Sequence, residues 1–65
     1  MDGVKTFVSF IANLKPGDII PSMTGTVESV TVDGIWADVK FSQGGPVNHV
    51  WHVYKFHETV AHRLV

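Results

Sequence analysis

Four histidines, His49, His52, His57 and His62, are the side chains in this sequence best suited to chemistry near neutral pH, because neutral imidazole binds zinc, nickel or copper. Their spacing does not gather them. On a regular strand His49 and His52 point to opposite faces, so at most one of them can join His57 and His62 unless a bulge intervenes. Cysteine is absent, and the nearest carboxylate, Glu58, suits an exposed turn equally well. No metal or other cofactor is assigned on this pattern. Asp18, Glu28, Asp33, Asp38 and Glu58 are scattered without evident pairing, and a Ser-His-Asp grouping would need a preorganised pocket that so small a domain rarely encloses. No catalytic residue is assigned either, and an enzyme would need a cleft shared between copies of the chain.

Aromatic residues offer a second kind of chemistry. Trp36 and Lys40 should project from one outer strand face, where the indole could stack a base and the ammonium could neutralise a phosphate, with Lys55 and Arg63 extending the patch. Against this nucleic-acid reading, Asp38 stands between Trp36 and Lys40, and the lysines form no run. A protein partner needs fewer assumptions. The stretch around Val50-Trp51-His52-Val53-Tyr54 carries apolar groups on both faces, so Trp51, Tyr54 and Phe56, with Trp36, are the expected protein-binding residues.

These side chains must be positioned by short strands. Asp33-Gly34, between Glu28-Ser29-Val30-Thr31-Val32 and Ile35-Trp36-Ala37-Asp38-Val39-Lys40-Phe41, predicts a type I′ hairpin with Val32 opposite Ile35 and Val30 opposite Ala37. Val30, Val32, Ile35, Ala37, Val39 and Phe41 then face the core, and Trp36, Asp38 and Lys40 face outward. The same register turns Glu28 inward, where an ionised carboxylate is costly, so a β-bulge near Glu28 that brings Val27 inward is expected. Gln43-Gly44-Gly45-Pro46 breaks the chain before a strand within Val47 to Phe56. A turn over Lys55 to Thr59 leads to a closing strand from Val60 to Val65. Upstream, Pro21 limits the Gly17-Asp18-Ile19-Ile20 strand to a short or edge position. Phe7, Phe10, Ile11 and Leu14 recur at offsets of three and four, which favours a short N-terminal helix. The β-branched and aromatic residues around them would also suit an extended arm.

The 65 residues make one domain with a thin core, in which residues 1–14 form an arm and residues 15–65 the β body. Eleven valines and seven aromatic residues exceed what so small an interior can hide, which points to self-association. A net charge of −1 gives no bulk attraction to nucleic acid or anionic lipid. No apolar run is long enough to cross a bilayer, and Met1-Asp2-Gly3-Val4-Lys5 lacks a signal-peptide profile, so a cytoplasmic location is the expectation.

The order of these pieces resembles the small SH3-like barrels. Leu14-Lys15-Pro16-Gly17-Asp18 would open a first strand, Gly25-Thr26-Val27 a second, and Asp33-Gly34 would turn into Trp36 to Phe41, before a glycine turn and a last strand after Phe56. The likeness covers roughly residues 14 to 65 and implies an all-β, five-stranded SH3-like barrel, to which the reading of residues 1–14 adds a short N-terminal helix or extended arm. Such barrels bind RNA, DNA, ribosomes, peptides or one another, and one plasmid-borne type of dihydrofolate reductase lines a shared pore with several copies. Val50-Trp51-His52-Val53-Tyr54 is similar to its pore-lining Val-Gln-Ile-Tyr segment, without the glutamine. The peptide-binding SH3 signature is missing. The expected function is a non-enzymatic, self-associating protein-interaction module, with a nucleic-acid-binding module and an oligomeric barrel enzyme as alternatives.

Overall fold

The computed structural model describes residues 3–64. Among them lie β1 (Val4–Phe10), β2 (Ile19–Ile20), β3 (Gly25–Asp33), β4 (Trp36–Gln43), β5 (Val50–Tyr54) and β6 (Glu58–Leu64), with short 3₁₀ turns at Ile11–Asn13 and Pro21–Met23. The strands form one antiparallel sheet in the order β1-β6-β2-β3-β4-β5.

Two expectations are corrected here. The N-terminal segment is a strand, not a helix. Val4, Thr6 and Val8 are β-branched at alternate positions, and β1 lies in unbroken register on β6, from Val4↔Leu64 to Phe10↔Glu58. The helical-looking offsets come from two structures in series. Phe7 belongs to the inner face of β1, whereas Ile11 and Leu14 flank a 3₁₀ turn in which the Leu14 N–H donates to the Ile11 carbonyl at 3.1 Å.

The closed five-stranded SH3-like barrel is not formed either: the sheet has six strands and stays open, with β1 and β5 at its two edges. Closure would need a ladder between those edges. Instead, among the described residues, the Ile11 and Ala12 N–H groups alone reach across, to the carbonyls of His57 and Lys55 at 2.9 and 3.1 Å. Within residues 1–14, expected as an arm outside the barrel, Val4–Phe10 form a sixth strand and Ile11–Asn13 a 3₁₀ turn, while Met1 and Asp2 lie outside the described residues. β6, expected to close the barrel, carries β1 on one side and a single residue pair with β2, Ile19↔His62, on the other.

The hairpin between β3 and β4 turns one residue later than expected, over Gly34-Ile35, with Asp33 opposite Trp36 and Val32 opposite Ala37. Of the two loop residues only Gly34 has positive φ (64°), as in a type II′ turn. The change preserves facing, so Ala37, Val39 and Phe41 are buried and Trp36, Asp38 and Lys40 exposed, as the sequence predicts. Val32 and Ile35, expected in the core, sit exposed at the hairpin tip. The bulge forms where expected: the register shifts between Val27 and Ser29, Val27 is buried and Glu28 is outside.

The core consists of Ile11, Leu14, Ile20, Val27, Ala37, Val39, Phe41 and Ala61, with Phe7, Met23, Val30, Trp51 and Val53 partly buried against it. Gly25 and Gly45 both press on the Phe41 ring, where any Cβ would overlap it.

Candidate functional site

β4 and β5 are paired so that Trp36 lies opposite Tyr54 and Asp38 opposite His52, all four on the outer face. Strand alternation puts them there, because Ala37, Val39, Trp51 and Val53 occupy the inner face of the same two strands. The Trp36 indole stacks on the His52 ring, with centroids 4.9 Å apart and planes at 29°. The His52 Nδ1 and Asp38 Oδ1 atoms share a hydrogen bond of 2.5 Å. Beyond β5 the chain turns, the His57 N–H donating to the Tyr54 carbonyl at 3.0 Å, and this swings Phe56 edge-on to Tyr54 at 5.6 Å. Phe10, at the end of β1, meets Phe56 edge-on in turn at 5.7 Å. An aromatic row therefore runs over His52, Trp36, Tyr54, Phe56 and Phe10. Its Trp, Tyr and Phe members keep 40–49% of their surface exposed.

Of the expected protein-binding residues, Trp36, Tyr54 and Phe56 come together. Trp51 does not join them: it lies on the inner face against the core, edge-on to His57 at 5.8 Å. Phe10 belongs to the row and was missed, because the helical reading of residues 7–14 hid the alternation that sends Phe10 to the face opposite Phe7. The His52–Asp38 contact could have been anticipated from two outward residues on neighbouring strands.

The basic residues proposed for nucleic acid are dispersed. Lys40 shares the face of Trp36 but pairs with Glu28 at 3.4 Å. The Lys55 ammonium lies 5.1 Å from the centre of the Phe56 ring. Arg63 is on the far part of the sheet, where Nε and a terminal guanidinium nitrogen each donate to the Asp18 carboxylate at 2.8 Å and the guanidinium covers the Phe7 ring. Asp18 also accepts the Lys15 N–H at 2.9 Å. Burial by itself pushes the Asp18 carboxyl up, but the Arg63 hydrogen bond, the Lys15 N–H and the nearby positive charges together hold it below its ordinary 3.8. Asp18 raises the Arg63 guanidinium in return. A cleft of about 300 Å³ opens beside this pair, lined by Lys15, Pro16, Gly17, Asp18, Arg63 and Leu64.

The four histidines occupy separate environments. His52 and His57 lie in the contacts already given, His62 shares a 2.8 Å hydrogen bond with the Thr6 hydroxyl, and His49 holds a left-handed turn with φ of 63°. Among the described residues no group of three or more His, Asp or Glu side chains is placed to hold a metal ion. None of their helices is long and apolar enough to cross a membrane. Compared with family models, curated proteins and solved structures, the chain matches none.

Proposed function

We propose that this protein is a non-enzymatic interaction module that self-associates, burying part of its outer sheet surface against another protein chain. The observation that carries the reading is the aromatic row from His52 through Trp36, Tyr54 and Phe56 to Phe10. Four large rings are left roughly half exposed on paired strands and the turn that follows them. Rings held this way present large contact area at little further entropic cost, which is the character of interface anchors. The valines of β1 and β6 extend apolar exposure beyond Phe10.

A nucleic acid would use the same indole with Lys40. It is the weaker reading because Glu28 already neutralises Lys40, Asp18 holds Arg63, and Asp38 adds a negative charge beside Trp36.

Light scattering on the purified full chain tests the proposal. The expected result is a mass above that of one chain, increasing with protein concentration. A strictly monomeric protein at millimolar concentration overturns it. Retention of short oligonucleotides at low salt that is lost in Lys40→Glu would transfer the aromatic face to nucleic acid.

A further inference from the structure

We infer that the second copy docks along the free edge of β1, antiparallel and strand to strand, about a two-fold axis passing at Phe7. The inference takes from the reading above that the chain self-associates, and it places the seam on the sheet edge that ends at Phe10, the last ring of the aromatic row, leaving Trp36, Tyr54 and Phe56 outside the seam.

The two edges of the sheet are not equivalent. β5 has five residues, and the turn that follows it has already given the Lys55 and His57 carbonyls to Ala12 and Ile11. β1 has seven residues, no proline and no bulge, and Lys5 is its single charge. β6 takes one side of β1, and among the described residues no strand covers the other. Alternate N–H and C=O groups of β1 therefore point outward from the sheet, and such an edge is a template for another extended segment.

The flanking side chains favour the same kind of occupant. Val4 and Val8 alternate along the outer face of β1, opposite Leu64 and Val60 on β6, and Ile19 follows beyond His62. All five are exposed. An incoming strand would bond to the edge and continue this apolar face.

A second β1 meets both demands because the strand is self-complementary. With the axis at Phe7, Phe7 faces its own counterpart, Thr6 faces Val8, Lys5 faces Ser9 and Val4 faces Phe10, so every residue of the strand is paired. Paired residues lie on the same face in both copies, and the two apolar surfaces become continuous. No like charges meet, and Val4 against Phe10 is a favourable β-branched and aromatic pair. Centring on Lys5 would instead oppose the two lysines. The C₂ contact is closed, so one seam ends in a dimer and not in a fibre.

Cysteine scanning reads this register directly, since the chain has no native thiol. Thr6→Cys mixed with Val8→Cys should cross-link to a mixed disulfide dimer under mild oxidation, faster than either variant alone and faster than Trp36→Cys. Separately, Val8→Lys, at a solvent-facing position, should keep the native circular dichroism and weaken dimerisation about tenfold or more. A wild type that dimerises while Trp36→Cys cross-links best, or while Val8→Lys leaves the dimer intact, overturns the β1 seam and leaves self-association standing. A monomeric wild type removes both.

Discussion

Asp18 is 1% exposed, and its charge is held by three hydrogen bonds, two from Arg63 and one from the Lys15 backbone. Its carboxyl is lower in the folded protein than its ordinary 3.8. The stabilisation this brings is complete above that ordinary value and is lost as pH falls through the lower folded one. Urea titrations from neutral pH downward should therefore show a loss of stability below 3.8 that Asp18→Asn lacks. At neutral pH the same variant should be less stable by about 2 kcal/mol, since a neutral amide replaces a charge-assisted pair. An unchanged acid limb in Asp18→Asn would show that other carboxylates carry it. Thr24 makes the opposite prediction. It has φ of 46°, a left-handed conformation that a β-branched residue adopts at a cost. Thr24→Gly should raise the unfolding free energy by up to about 1 kcal/mol, the relief of strain exceeding the entropy glycine adds to the unfolded chain.

Strand alternation explains which elements were legible in advance. The hairpin turn was misplaced by one residue on each strand, so opposed pairs changed while inner and outer faces did not. For that reason the outward set Trp36, Asp38 and Lys40 survived the error, as did the Glu28 bulge, which depends on facing alone. The N-terminal segment failed because i, i+3 spacing is shared by α-helix and 3₁₀ turn, and the free edge of β6 that captured it lies more than 45 residues away in the chain. A separation of 45 residues hid the Asp18–Arg63 pair in the same way. One local clue existed: Asp18 is two residues before the buried Ile20 and Arg63 two after the buried Ala61, which marks both as inward-facing ions in need of partners. Glycine placement gives this scale its own prediction. A Cβ at Gly25 would overlap the Phe41 ring and approach the Gly45 nitrogen to 3.0 Å, where β3 meets the turn after β4. Gly25→Ala should thus cost about 1–3 kcal/mol in chemical denaturation by overpacking, and recovery in Gly25→Ala/Phe41→Leu would identify the ring as the obstacle.

At the scale of the molecule, an open sheet leaves much of one surface without a covering layer. Among the described residues eight form the buried core, none larger than Phe41, whereas the aromatic row and the β1–β6 valines remain in water. A core this thin supplies only a few kcal/mol after conformational entropy is met. Association therefore changes stability as well as composition of the assembly. If folded chains pair and unfolded chains do not, mass action ties the melting temperature to protein concentration. Circular-dichroism melts over a roughly hundredfold concentration range should show the wild-type midpoint rising by roughly 10 °C, because the dimer gains about 2.7 kcal/mol, shared between two small domains. Val8→Lys should flatten that dependence, and Trp36→Ala should retain it, since the β1 seam and the outer face of β4 are separate surfaces. A wild-type midpoint that ignores concentration would mean that the exposed apolar face is tolerated by a solitary chain, and neither the seam nor the self-associating module would stand.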